Sequence, residues 1–302
     1  MAGAPVDVVA VGSAIVDVLA SADDADLEAH GLVKGTMALV DGPASDRLYE
    51  AMGPATEMSG GSAANTVAGV ASFGGAAAFI GKVRDDQLGQ VFVHDIRAVG
   101  VAYSTPPATS GPATARCLVF VTPDAQRTMT TYLGAAVGLV PGDIDEDLVA
   151  ASSYTYLEGY LWDPPEAIEA LRRAIDLAHR AGRGVALSLS DPFCVARHRA
   201  DFLHLAEEVV DVLFANEAEI LSLYQVRTFD EALERVRRHC ELAALTRSEH
   251  GSVIVAGREV HAVKAHPVAS VVDTTGAGDL YAAGFLFGLS RGLSPAACGQ
   301  LG

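Results

Sequence analysis

The sequence predicts an α/β fold in which a mostly parallel sheet is wrapped by helices and a small β-sheet projects over the cleft. Three observations carry this expectation. Strand-like apolar runs alternate with helical stretches, as βαβ units require. Half of the 302 residues are hydrophobic (50%), enough to bury one large core. Two stretches, 13–41 and 103–133, break the alternation, because they are rich in β-branched residues and lack a helix long enough to act as a crossover.

Taken in order, residues 6–11 (VDVVAV) read as a buried strand. Residues 62–73 read as a helix with Ala63, Val67, Val70 and Ala71 on one face and Gly74-Gly75 as its stop. The apolar runs 154–157, 184–189 and 210–214 read as buried strands, and 165–181 and 198–208 as the helices between them. The stretch Leu280-Tyr281-Ala282-Ala283-Gly284-Phe285-Leu286-Phe287-Gly288-Leu289 is apolar on nearly every side, so it is expected to be a buried helix whose start opens at a cleft. Segments 1–12, 42–102 and 134–302 are assigned to the large domain, and 13–41 and 103–133 to a small β lid. In such sheets ligands gather at the carboxyl ends of the strands.

Charge and composition exclude several classes. Lys and Arg total 21 against 38 Asp and Glu, a net charge of −17, which disfavours nucleic acid as a partner. No apolar run approaches a bilayer span, and the first residues lack the basic region of a signal peptide, so no membrane partner and a cytoplasmic location are expected. Cys117, Cys194, Cys240 and Cys298 are scattered without a C-x-x-C pair, which points to reduced thiols. The nine histidines show no metal-ligand spacing. Residues 74–82 approach a P-loop, but Val83 stands where Ser or Thr would bind magnesium. Residues 9–15 begin like a dinucleotide-binding strand and then lack its second and third glycines.

Two glycine-rich helix starts carry the chemistry. In Asp273-Thr274-Thr275-Gly276-Ala277-Gly278-Asp279 small residues let an anion approach the N–H groups and positive dipole end of the apolar helix, with a carboxylate one turn away. An anion cradle beside a proton acceptor is what phosphoryl transfer to a hydroxyl needs. The plainer reading of Asp279 alone is dipole complementation in a first turn. In Ser59-Gly60-Gly61-Ser62-Ala63-Ala64-Asn65 the glycines free the backbone for a ligand and Asn65 offers a donor and an acceptor, a pair that suits a polyol. The plainer reading there is a tight turn with Ser62 capping the helix.

These two segments resemble the signature regions of the ribokinase (PfkB) family of carbohydrate and nucleoside kinases. Asn216-Glu217-Ala218-Glu219, directly after the run 212–214, is similar to the family's N-x-x-E element. The resemblance implies a ribokinase-like three-layer α/β/α sandwich with a small β-sheet lid, ATP and Mg²⁺ as cofactors, and an alcohol as phosphoryl acceptor. It implies that Asp279 is the base and that Gly276, Ala277 and Gly278 form the anion hole. It implies that Asn216 and Glu219 order Mg²⁺ through water, with Asn216, Thr246, Gly251, Thr275 and Gly278 along ATP. Read as sequence alone, Asn216 and Glu219 equally describe a helix cap. Family members differ in monovalent-cation dependence and in being monomer or homodimer.

Within the family the segments 11–17, 124–128 and 187–193 look most like those of adenosine kinases. By that likeness Asp17 accepts hydrogen bonds from two adjacent sugar hydroxyls, Gly60, Gly61 and Asn65 complete the sugar site, and Arg127 reaches from the lid toward the phosphate. Cys117, Leu133 and Phe193 would enclose a purine. Ser13 stands where adenosine kinases commonly have Asn. As residues alone, Phe193 reads equally as core, Cys117 as packing and Arg127 as a solvated hairpin residue. The expected activity is phosphorylation of the 5′-hydroxyl of a nucleoside, adenosine first. The rivals are a sugar kinase of the same family and a nucleoside-binding protein with this fold and no turnover. All of this requires the Asp279 carboxyl to share one cavity with Asn65 and Asp17.

Overall fold

The run at 6–11 forms β1 (Val6–Val11), and its alternation splits the core in two: Val9 and Val11 face one hydrophobic cluster, Val8 and Ala10 the other. A strand buried on both faces belongs inside a sheet with helices on either side. The structure is a computed structural model that describes residues 5–268 and 274–302. Asp273 of the glycine-rich signature therefore lies outside the described residues.

The first half of the chain continues with β2 (Ile15–Ser21), α1 (Asp24–Ala29), β3 (Met37–Leu39), α2 (Gly42–Ala51), β4 (Ala55–Gly60), α3 (Ser62–Ser72), β5 (Ala77–Ile80), α4 (Gln87–Ala98), β6 (Val101–Tyr103), β7 (Ala115–Val121) and β8 (Arg127–Tyr132). The second half runs through α5 (Glu146–Ala151), β9 (Ser152–Glu158), α6 (Pro165–Arg180), β10 (Gly184–Ser188), α7 (Pro192–Arg197), α8 (Arg199–His204), β11 (Val212–Asn216), α9 (Glu217–Tyr224), α10 (Phe229–His239), β12 (Leu242–Thr246), β13 (Ser252–Ala256), β14 (Glu259–Val263), α11 (Ala277–Ser290) and α12 (Pro295–Leu301).

Nine strands form the large sheet in the order β14-β13-β12-β11-β10-β9-β1-β5-β6. Pairing is parallel from β6 to β12 and antiparallel at β12–β13 and β13–β14. One face is covered by α6, whose Ala167, Ala170, Leu171, Ala174 and Ala178 form a continuous buried stripe, together with α9 and α10. The other face carries α3 and α11, with Val67 and Val70 packed among Ala282, Ala283, Phe285 and Leu286. Phe285 is fully buried, and burial of a side chain of that kind contributes about 1.5–3 kcal/mol. This is the three-layer α/β/α sandwich expected. The strand order reverses direction at β1, which puts the ends of β1 and β9 at the crevice where such sheets bind ligands.

The second sheet has five strands in the order β3-β8-β7-β2-β4. On β2 the pattern of burial alternates, so Val16 and Val18 join the core with Leu27, Leu48, Leu118 and Phe120 while Asp17 lies on the opposite face. Four of these strands fall within the two stretches assigned to the lid. The fifth, β4, comes from the 42–102 segment that the sequence reading gives to the large domain, so the sheets do not divide at residue 42. Nothing in the local pattern of 55–60 announces this, because the partner that makes it a lid strand is β2, antiparallel in the register Ile15↔Gly60.

Most strand and helix expectations fall within a residue or two. The helix expected at 198–208 is α8 followed by a wider π-type turn over Leu205–Val209, and the strand expected from 210 begins at Val212 because the Val210 N–H is spent on Leu205 O. Gly74 takes φ +82 after α3, as a helix stop should. Among the described residues the four cysteines are free and buried, no cluster of three metal-ligating side chains occurs, and no helix is long and apolar enough to cross a membrane.

Candidate active site

The site forms where three chain segments meet above β1 and β9: the turn 12–14 leading into the lid, the turn 60–61 leading back out of it, and the start of α11. Asp279 sits in the first turn of α11. Its Oδ1 accepts the Ser62 hydroxyl at 2.6 Å and its Oδ2 accepts Asn65 Nδ2 at 3.2 Å. The two glycine-rich helix starts therefore meet, side chain to side chain. Burial raises the Asp279 carboxyl above its ordinary pKa, and the bonds from Ser62 and Asn65 act against that rise.

The start of α11 is made for backbone access. Gly276 is its N-cap in the left-handed region, φ 73, with no side-chain bond to the helix. The Ala277 N–H turns back to Thr274 O at 3.1 Å, so of the expected anion-hole amides this one is engaged within the turn. At Gly278 an added methyl group would meet open space, and this residue and Asp279 lie in the first turn, where N–H groups have no intrahelical acceptor. Thr275 is exposed in the turn before the helix.

Asp17 stands near enough to Asp279 that the Asp279 charge acts on it. Burial raises its carboxyl to about 6, with Arg127 opposing the rise and Asp279 adding to it. Gly60 is explained by this residue, since a methyl there would lie 2.3 Å from Asp17 Oδ2. Gly61, at φ 99, runs so close to the other crossing that a methyl would lie 2.3 Å from Ser13 O. Cys117 pairs with Asp17 in the β2–β7 register; its buried thiol, raised to about 11, accepts from Thr131 Oγ1 at 3.4 Å. Leu133 follows β8 and is half-buried. Phe193, on α7, is 78% exposed, so it is not a core residue.

Glu158 was not singled out from sequence, yet it joins the segments of the site. It ends β9, is fully buried, and accepts the Ser13 N–H at 2.6 Å and the Ala63 N–H at 2.9 Å. Gly12 must be glycine here, because a methyl would fall 2.6 Å from Glu158 Oε2. Burial pushes this carboxyl up to about 7. The available signal was a lone carboxylate closing an apolar strand at the ligand-binding end of the sheet. Ser62 was also missed, because Gly61 rather than Ser62 holds the cap position of α3.

The remaining expected residues lie at the next strands. Asn216 and Thr246 end β11 and β12 and are direct partners in the parallel register. Asn216 and Glu219 form a reciprocal capping box: Asn216 Oδ1 accepts the Glu219 N–H at 2.9 Å and Glu219 Oε2 accepts the Asn216 N–H at 2.9 Å. Glu219 is buried and its carboxyl is raised to about 7. This donor set, one amide and one carboxylate already engaged with each other, suits Mg²⁺ held through water rather than directly. Gly251, at φ 83, turns β12 into β13 where a methyl would lie 2.0 Å from Val263 O.

A three-layer sandwich with a β lid, an uncapped helix start and a carboxylate at its mouth defines a ribokinase-like phosphotransferase. The chain belongs to the PfkB family of carbohydrate kinases: residues 46–302 match the family described as pfkB family carbohydrate kinase. The solved structure of adenosine kinase from Sinorhizobium meliloti is similar at 54% identity and a TM-score of 0.90, covering 99% of this chain and 91% of that one. A structure from Rhizobium etli CFN 42, described as a "probable sugar kinase protein", is similar at 51% identity and a TM-score of 0.91, again covering 99% and 91%. A curated relative, 5-dehydro-2-deoxygluconokinase of Geobacillus kaustophilus, is 28% identical over 296 residues, 94% of this chain and 82% of its own length. The protein is a sugar or nucleoside kinase that transfers a phosphoryl group to a hydroxyl.

Proposed function

We propose that the protein phosphorylates the 5′-hydroxyl of adenosine with ATP, giving AMP and ADP, and so returns a free purine nucleoside to the nucleotide pool in the cytoplasm. The observation that carries this reading is the 54% identity, over nearly the whole chain, to the adenosine kinase of Sinorhizobium meliloti.

In this reading Asp17 takes the two ribose hydroxyls, a geometry one carboxylate satisfies well. Gly60 and Gly61 leave room for the sugar, Asn65 and Ser13 border it, and Cys117, Leu133 and Phe193 supply apolar surface for the base once the lid closes. Asp279 accepts the proton of the 5′-hydroxyl, a role typically worth roughly 10²–10⁴ in rate. The first-turn amides of α11 and Arg127 take up negative charge that develops on the migrating group. Asn216 and Glu219 would hold waters around Mg²⁺, and Thr246, Gly251 and Thr275 would border ATP. Bound with ATP, Mg²⁺ supplies charge neutralisation on the phosphate oxygens.

A sugar-kinase reading has its own support in the 51% identity to the Rhizobium etli structure and in the Geobacillus kaustophilus relative. Asp17 and Asn65 would serve a sugar's hydroxyls equally well. The test is an ATP-coupled panel of adenosine, other nucleosides, ribose, fructose and 5-dehydro-2-deoxygluconate, with product mass spectrometry and titration calorimetry. Adenosine is expected to be turned over with the highest kcat/KM. Turnover of a sugar with none of adenosine would replace the first reading with the second.

A further inference from the structure

Ser62 is the first residue of α3, yet its side chain leaves that helix. Gly61 occupies the cap position without a side-chain bond, and the Ser62 hydroxyl donates across to Asp279 Oδ1 at 2.6 Å. Three residues on, Asn65 donates to the other oxygen at 3.2 Å. Positions i and i+3 of a helix share a face, so α3 presents two donors to one carboxylate.

We propose that Ser62 is a positioning residue for phosphoryl transfer, its hydroxyl fixing the orientation of the Asp279 carboxylate and favouring its ionised form. The inference rests on Asp279 being the base, as proposed above. Gly276 and Gly278 bring no side chains to Asp279, whose two carboxylate oxygens are held by Ser62 and Asn65. Hydrogen bonds to both oxygens fix the orientation of the carboxylate plane. The separation of donor and acceptor is set by backbone rather than by a loop, because α3 and α11 pack so closely that a methyl on Gly69 would lie 2.6 Å from Ala283 Cβ.

The bond also bears on charge. An O–H to carboxylate contact of this length is a charge-assisted hydrogen bond, and donation to the ionised form favours it. Burial raises the Asp279 carboxyl, and the Ser62 bond is the first of the two that oppose the rise. Other titratable groups in range of this charge are Asp17 on β2, Tyr156 and Glu158 on β9, and Tyr160 just after β9. Arg127, at the start of β8, acts on Asp17. In the reaction the acceptor hydroxyl forms its new O–P bond as the bond from the γ-phosphorus to the bridging oxygen of ATP breaks. The hydroxyl proton passes to Asp279 and ADP leaves. Only the ionised carboxylate can take that proton, so turnover falls as pH drops through its pKa.

The experiment compares Ser62→Ala, Ser62→Thr and Asp279→Asn by ADP release over a pH series, with adenosine or the best acceptor of the panel above. Ser62→Ala is expected to lower kcat roughly 10- to 100-fold, the range for a hydrogen bond to a charged group. It should also move the acid limb of the kcat profile to higher pH. KM should stay within about threefold, since substrate contacts remain. Ser62→Thr, which restores the hydroxyl, should recover most of the rate and the wild-type limb. If Asp279→Asn is inactive but Ser62→Ala changes only the melting temperature, or raises KM with the acid limb unmoved, Ser62 does not act through the carboxylate and this inference falls. If Asp279→Asn keeps near-normal turnover, the base assignment itself falls, whatever Ser62→Ala does.

Discussion

Two helices of this protein begin near the carboxyl edge of the sheet with signature sequences, α9 at Asn216 and α11 at Gly276, and they begin in opposite ways. At α9 the side chains of Asn216 and Glu219 close on each other's backbone N–H groups. At α11 the cap is a left-handed glycine with no side-chain bond, and the first-turn carboxylate turns outward to Ser62 and Asn65 of another helix. The first start satisfies its own orphan donors, while the second leaves backbone N–H groups available to an incoming anion. A helix N-terminus is thus an anion site or a finished structural unit according to whether side chains have already filled it.

The sharpest way to break this contrast is at α11. Asp279→Asn keeps the shape of the side chain and removes the proposed base, so kcat should fall roughly 10²- to 10⁴-fold with nucleoside affinity within a few-fold, measured by ADP release and calorimetry. Retained turnover would make the two helix starts functionally alike. Asp17→Ala comes next: loss of a charged acceptor should raise the nucleoside Kd roughly 10- to 100-fold, and an unchanged Kd would remove it from the substrate site.

Gly278→Ala separates access from stability. The added methyl meets no neighbour, and alanine is favoured over glycine in a helix by up to about 1 kcal/mol, so the melting temperature should hold or rise. Turnover should nevertheless drop about 10-fold, short of the 10²–10³ that follows outright loss of an anion-hole donor. At α9 the expectation is the reverse. Asn216→Ala removes a cap and should cost about 1 kcal/mol of stability, with a smaller change in the Mg²⁺ dependence of the rate.

The last effect is in pH. Burial raises Glu158 and Glu219 from an ordinary 4.5 to about 7 in the folded protein, so the folded state holds their protons more tightly than the unfolded state. The stability they contribute is full below 4.5 and is lost as pH rises through about 7. Melting of the unliganded protein should therefore weaken between about pH 5 and pH 8, and Glu219→Gln should flatten part of that decline. A decline left unaltered by the substitution would remove Glu219 from its causes.

What the sequence made legible follows from the range of the forces involved. Val6–Val11, α3 and α6 declare themselves because an apolar run, an apolar stripe or a glycine stop is local. The meeting of Asn65 with Asp279, across 214 positions, was inferable only because each stood at a glycine-rich helix start. Glu158 was not, since its role depends on N–H groups 145 and 95 positions away. Capping is the plainer reading of Ser62 because it is the commonest work of a serine there, and the geometry gives that place to Gly61. The pairing of β4 with β2 in the second sheet is not legible, because pairing partners leave no mark on a single strand.

The contact between Gly69 and Ala283 lies about one turn of α11 below the Asp279 carboxylate, and it governs the gap that Ser62 and Asn65 have to bridge. Two rods pressed together at one point move at their tips when the point is thickened. A bulkier side chain at 69 would splay the pair and stretch hydrogen bonds that tolerate only tenths of an ångström. In a survey of inactive variants this buried glycine should therefore score beside the residues of the pocket itself.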